Sequence, residues 1–279
     1  MTSSERLAFS PADLREAWKR REFLLHYQPQ VDLRTGSTTG AEALLRWLHP
    51  SRGLLLPGTL LPIAEGAGLI AELGEWALRE ACRQNRAWQK NGLGPIKVAV
   101  NVSALQLGPA FGETVRRALE EARLDPKHLE LELTESVMFD DPGIFAMLGE
   151  LRRTGVGFAI DDFGTGYSCL AHLKCCPITK LKVDKSFVDQ LADDQRNRAI
   201  VQAVISLGHA LGLRVVAEGL ESAASLAVLR SLDCDEGQGV LFAKAMPAKE
   251  LAAFLSSSAS GTPCAASLLA KRSGSVPGA

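Results

Sequence analysis

Gly157-Phe158-Ala159-Ile160-Asp161-Asp162 decides how the chain is read. A short apolar run of strand length ends in two adjacent carboxylates. The same form recurs on both sides of it. Lys97-Val98-Ala99-Val100 ends in Asn101, and Leu129-Glu130-Leu131 leads to Glu132. Lys180-Leu181-Lys182-Val183 ends in Asp184, and Val215-Val216-Ala217 ends in Glu218. Gln238 precedes a short strand expected near Gly239–Phe242, and Phe23–Val31 is a further strand-like run. Helical patterns fall at Pro11–Arg20, Gly68–Lys90, Phe111–Ala122, Pro142–Arg153, Gln195–Leu211, Ser222–Leu232 and Ala248–Leu255. This alternation predicts parallel strands joined by crossover helices. Roughly eight such units fit an α/β barrel of the TIM type, typically ~250 residues. An open doubly wound sheet is the alternative. A Gly-rich phosphate loop after the first strand would favour it, and no G-x-G-x-x-G is present there.

Bulk properties narrow the function. The 279 residues are 46% hydrophobic and 23% charged, enough for a large core. A net charge of −1 gives no general basic field for a nucleic-acid polymer or an anionic membrane. No apolar run has the roughly 18–20 residues of a membrane span, and the first ten residues carry no apolar signal core. The chain reads as cytoplasmic. Its six cysteines form no C-x-x-C pair and read as free thiols. Residues 1–10 read as a polar linker or tag, 11–255 as one domain, and the Ser-, Ala- and Gly-rich 256–279 as a flexible tail.

Barrels of this type place their chemistry at the C-terminal ends of the strands. Six carboxylates (Glu42, Glu132, Asp161, Asp162, Asp184 and Glu218) would meet at one mouth, with Asn101, Gln238 and the single cation Lys182. Like charges so close raise one another's pKa or oppose folding. Hard cations with oxygen ligands, such as Mg²⁺, Mn²⁺ or Ca²⁺, resolve the conflict. An adjacent Asp pair suits two ions, since one carboxylate can bridge while its neighbour serves the second. Each residue also has a plain structural reading. Glu42 and Arg46, spaced i,i+4, fit a helix surface pair. Asn101 fits a turn, Asp161-Asp162 an N-cap, and Lys182 with Asp184 a same-face pair on a strand. Glu132 and Glu135 fit an edge strand, and Glu218-Gly219 a strand end. Their joint placement is what argues for a site.

The same positions resemble the EAL family. The name motif stands as Glu42-Ala43-Leu44, in Glu-Ala-Leu-Leu-Arg-Trp47. Trp47-Leu48-His49-Pro50, Gly53, Pro57, Pro62-Ile63-Ala64-Glu65, Asn101-Val102-Ser103 and Gln106 continue it. So do Glu132-Leu133-Thr134-Glu135-Ser136, Asp161-Asp162-Phe163-Gly164, Leu181-Lys182-Val183-Asp184, Ala217-Glu218-Gly219 and Gln238-Gly239. The likeness spans roughly residues 11–255.

The resemblance implies a modified TIM (β/α)₈ barrel whose first strand runs antiparallel to the others. It implies hydrolysis of cyclic di-GMP to linear pGpG with two Mg²⁺ or Mn²⁺ ions; Ca²⁺, larger and looser in geometry, is expected to disturb the two-metal spacing and inhibit. By position, Glu42, Asn101, Glu132 and Asp161 would ligate one ion, and Asp161, Asp162 and Asp184 the other. Lys182 would hold or help deprotonate the attacking water. Glu218 would bind a metal water or ligand, and Glu135 would fix the loop from Asp162 to Leu170. Gln28, Leu44, Arg46 and Gln238 would contact the ligand, Arg46 through a guanidinium that forks around paired oxygens. The resemblance further implies a homodimer and sensory or GGDEF domains upstream in a longer protein. A catalytically weak cyclic-di-GMP receptor is the alternative, and a barrel enzyme for another phosphoester a third. Val240, Ala245 and Cys169 depart from the usual pattern, Val240 where a bulkier or aromatic residue is common.

Overall fold

The computed structural model describes residues 9–135, 142–165, 173 and 176–259. Eight strands close a barrel: β1 (Phe23–Asp32), β2 (Thr38–His49), β4 (Lys97–Val102), β5 (Leu129–Thr134), β6 (Gly157–Phe163), β7 (Lys180–Val183), β8 (Arg214–Ala217) and β9 (Glu236–Gln238). Two short strands flank the ring, β3 (Gly53–Leu55) against β2 and β10 (Met246–Pro247) against β1. From β2 through β9 each neighbouring pair in the ring is parallel. β1 is antiparallel to both of its ring neighbours, β2 and β9. The barrel is therefore the expected modified TIM type, closed by an antiparallel first strand.

Period-2 alternation divides each strand between two environments. On β5, Leu129, Leu131 and Leu133 are fully buried in the main apolar cluster. Glu130 and Glu132, on the opposite face, are equally buried but make contacts across the ring. Lys180 and Lys182 do the same on β7. The interior is thus lined by charge, where branched apolar layers are usual. Outside, the helix Ile70–Lys90 buries Leu73, Ala77, Leu78, Ala81, Cys82 and Trp88, a stripe at helical spacing. Its Asn85 donates to Ile96 O and His128 O, both at 3.1 Å, tying the helix to the starts of two strands.

A second apolar cluster sits above the mouth. β2 pairs with β4 only from Gly40 to Ala43, then continues against β1 and β3 as an arm. Trp47 on that arm packs with Phe23, with Leu14 and Ala17 of the first helix (Pro11–Lys19), and with Leu60 and Ala64 of the next (Pro57–Gly66). The Trp47 indole donates to Glu22 at 2.8 Å.

Four elements differ from the sequence reading. Glu42 and Arg46 lie on strand β2, opposite Gln28 and Leu24, so they are no helix pair. The last barrel strand is Glu236–Gln238, and Gly239–Phe242 turns away through Phe242 N–H to Gly239 O at 3.1 Å. At Gly239 a Cβ would stand 2.1 Å from Leu220 O, so only glycine lets the chain leave the barrel there. The helix Pro57–Gly66 was not anticipated. The final helix runs from Ala248 to Ala259, past Leu255. Phe9 and Ser10 also join the fold: Ser10 caps the first helix, and Phe9 stacks on Trp47 at 4.6 Å.

Candidate active site

Lys182 is fully buried at the C-terminal mouth, and carboxylates from four strands surround its ammonium. Glu132 and Glu218 stand 2.6 Å away, Asp161 at 3.1 Å and Glu42 at 3.8 Å. Asn101 donates to one oxygen of Glu42 at 2.6 Å, and Gln238 to the other at 2.5 Å. Gln238 also donates to Gln28 at 3.1 Å, and Gln28 donates to Ala243 O at 3.1 Å.

A β-bulge delivers the Asp pair. Ile160 pairs with Leu181 and Phe163 with Val183, so two residues, Asp161 and Asp162, stand against Lys182 alone. Asp162 takes a left-handed φ of 53°, which aspartate tolerates better than most residues. Both carboxylates can then reach the mouth from one strand. Asp184 ends β7 as the N-cap of the short helix Lys185–Val188, accepting from Ser186 N at 3.0 Å. Gly164 N–H donates to Glu135 at 3.5 Å, the beginning of the expected hold on the Asp162 loop. Most of that loop, with Cys169, lies outside the described residues.

Charge governs this site. Despite burial, the four carboxylates hold Lys182 well above the usual lysine range. Burial, offset in part by Lys182 and reinforced by Glu42, Asp161 and Glu218, pushes Glu132 well above the usual range. Burial with the charges of Asp161 and Glu42 pushes Glu218 up to about 8, Lys182 notwithstanding. Burial beside Asp161 and Asp184 pushes Asp162 up to about 6. Glu42 goes the other way: burial works against it, but Lys182 and the amides of Gln238 and Asn101 hold it low. One ammonium does not balance this ring of carboxylates.

Divalent cations fit the same deficit. Asp161, Asp162 and Glu218 offer oxygens that all lie within 4.8 Å of one another. Carboxylate oxygens with an amide suit Mg²⁺ or Mn²⁺. The expected ligands Glu42, Asn101, Glu132, Asp161, Asp162, Asp184 and Glu218 thus converge on one mouth.

The expected ligand-contacting residues divide. Leu44 lines a cleft of about 330 Å³ beside Glu42 and Asn101, with Pro57, Glu65 and Ser103. Arg46 is buried and donates to Leu45 O at 3.1 Å. Gln238 is bound to both Gln28 and Glu42, and Gln28 to Gln238 and Ala243 O. A larger cavity of about 570 Å³ lies at the opposite end of the barrel. Its charges pair internally, Arg214 with Asp32 at 3.2 Å and His209 with Asp235 at 3.0 Å, so the acidic mouth is the better site.

Two residues deeper lies a layer that the sequence reading missed. Lys180 is 2.8 Å from Glu130 and 3.0 Å from Glu236. Lys97 reaches Glu130 at 3.5 Å, and Arg214 reaches Glu236 at 3.1 Å. Gln30 lies between the layers. The available signal was the i−2 spacing of Glu130, Lys180 and Glu236 from Glu132, Lys182 and Gln238.

Comparison with known proteins agrees with this architecture. Residues 12–245 match the family profile described as "EAL domain". The chain is 49% identical over 243 residues to the bifunctional diguanylate cyclase/cyclic di-GMP phosphodiesterase MucR of Pseudomonas aeruginosa, covering 86% of this chain and 36% of that protein. It is 44% identical over 245 residues to the cyclic di-GMP phosphodiesterase NbdA of the same organism, covering 87% and 31%. A solved structure, "PaMucR Phosphodiesterase, c-di-GMP complex", superposes with a TM-score of 0.83 at 48% identity, covering 86% of this chain and 98% of that one. The chain spans about a third of the length of these curated relatives. It belongs to the EAL domain family.

Proposed function

We propose that this EAL-family chain hydrolyses cyclic di-GMP to linear pGpG with two Mg²⁺ or Mn²⁺ ions, ending the second-messenger signal. The carrying observation is the mouth itself: Glu42, Glu132, Asp161 and Glu218 packed within 4 Å of one buried lysine, with Asp162 and Asp184 alongside. The relatives above bear the same activity in their names.

In this reading, Glu42, Asn101, Glu132 and Asp161 would hold one ion, and Asp161, Asp162 and Asp184 the other. Such ions, when bound, polarise a phosphoryl oxygen and lower the pKa of a water. Asn101 and Gln238 keep both oxygens of Glu42 aimed into the mouth. Lys182 presents positive charge where the phosphoryl group gains negative charge, usually the largest contribution at such sites. Glu218 orients the water. Water oxygen attacks phosphorus, the bond to the 3′ oxygen breaks, and that oxygen leaves as a hydroxyl, with the phosphate kept on the 5′ side. Arg46 and Leu44 face the dinucleotide, Arg46 as a fork for phosphate oxygens.

The reading extends to a homodimer and to a place within a longer signalling protein, the latter in keeping with the greater length of the relatives. It places the work in the cytoplasm. The buried free thiols Cys82 and Cys234 fit that compartment.

The test is direct. Purified protein incubated with cyclic di-GMP and Mn²⁺ or Mg²⁺ should release pGpG, and chelation should stop it. Tight binding without cleavage under either metal would replace this reading with that of a receptor.

A further inference from the structure

We propose that Gln30 is a positioning residue for the cation site, fixing how Glu132 presents its carboxylate; this rests on the two-metal reading above. Gln30 is fully buried on β1, opposite Gly40 and Gln238. Its Oε1 accepts from Lys180 Nζ at 3.3 Å, and its Nε2 donates to Glu132 Oε1 at 3.4 Å. It is thus the side chain that joins the deep charged layer to the mouth.

The chemistry of its partners fixes the amide. An ammonium offers only donors, and a carboxylate ionised to ligate a cation only acceptors. The Gln30 carbonyl must therefore face Lys180, and its NH₂ must face Glu132. Turning the amide over would set NH₂ against ammonium and carbonyl against carboxylate. Lys180 is itself clamped by Glu130 at 2.8 Å and Glu236 at 3.0 Å, so the lower end of this chain of contacts does not wander.

The upper end sets Glu132. Its Oε2 takes Lys182 at 2.6 Å, while its Oε1 takes the Gln30 amide. Each oxygen has its own donor, and the carboxylate plane is held between them. Gly40 leaves room for this. A Cβ there would stand 3.1 Å from Gln30 Oε1 and 3.2 Å from Lys97 O.

Groups that orient a ligating side chain from behind usually count for about 10–100-fold in metal affinity. Gln30→Met keeps the bulk and removes both hydrogen bonds. Mn²⁺ binding to purified protein, read from the electron paramagnetic resonance of free Mn²⁺, should weaken about tenfold. The Mn²⁺ concentration for half-maximal turnover should rise in parallel, with KM for cyclic di-GMP at saturating Mn²⁺ held within about twofold, a split that loss of packing alone does not produce. Gly40→Ala crowds the amide without touching the mouth and should shift Mn²⁺ binding in the same direction, by less. Folded Gln30→Met with wild-type Mn²⁺ affinity overturns the proposal alone. Should Gln30→Met not fold, unchanged Mn²⁺ affinity in Gly40→Ala overturns it. A wild-type chain that binds no Mn²⁺ overturns the two-metal reading, and the role of Gln30 with it.

Discussion

The barrel holds two lysines two residues apart on one strand, each buried among glutamates, and they do different work. Around Lys180 the charges balance. Glu130, Glu236 and Asp32 meet Lys180, Lys97 and Arg214. Against burial, Glu130 and Glu236 push Lys180 up to about 12, and Lys180 with Lys97 holds Glu130 low in spite of its burial. Around Lys182 four carboxylates face one ammonium, and Glu132 and Glu218 shift towards their protonated forms. Both lysines are buried, and each lies within 3 Å of two glutamates. The count of charges separates a layer that holds the barrel together from one that invites cations.

The strongest way to break this comparison is at the mouth. Glu42→Ala removes a proposed ligand position and the partner of both Asn101 and Gln238. Turnover of cyclic di-GMP should fall by on the order of 10³-fold or more, measured as pGpG release at saturating Mn²⁺. Activity within about twofold of wild type would contradict the site, since a single mispositioned group already costs more.

Lys180→Met tests the other layer. It leaves Glu130 and Glu236 buried without their shared cation, which should cost about 3–5 kcal/mol of stability in urea unfolding. Added Mn²⁺ should not compensate, because the charges of the deep layer already balance. Recovery of the full loss on adding Mn²⁺ would erase the distinction between the layers.

Metal should act on the mouth alone. At about 100 times its dissociation constant, Mn²⁺ should stabilise the wild-type chain by about 2.7 kcal/mol, reversed by chelator. Asp161→Asn should lose most of that increment. An equal increment in Asp161→Asn would place the ions elsewhere.

The smallest expected effect lies at the rim, outside both layers. Val240 is 47% exposed, at the turn that follows Gln238. An aromatic ring there gains a stacking partner only if a base lies over it, worth about 0.5–1.5 kcal/mol. Val240→Tyr should therefore lower KM by about two- to tenfold with kcat unchanged. No change in KM would remove Val240 from the ligand surface.

Much of the upper layer was legible because its residues end strands, and a strand followed by an acid shows in a linear sequence. The Asp161-Asp162 pair, Asn101, Asp184 and Glu218 were read that way. The bulge that aims the pair was not, since the left-handed turn at Asp162 depends on how β6 meets β7. β2 misled for a clear reason. Gly40-Ala-Glu-Ala-Leu-Leu-Arg-Trp47 is rich in strong helix formers, and pairing with β1 and β4 overrides that preference. The deep layer stayed hidden because Gln30, Glu130, Lys180 and Glu236 acquire meaning only once their strands share one interior.

The antiparallel first strand also bears on how the protein is made. The ring closes where β1 meets β9, and the same seam brings Gln238 onto Glu42, 196 residues away in the chain. Such distant contacts form late and make closure slow. During synthesis the ribosome releases every carboxylate of the mouth before it releases Gln238. A nascent chain thus carries its acidic groups early and the amide that orders Glu42 last, so the geometry of the mouth comes with completion of the ring.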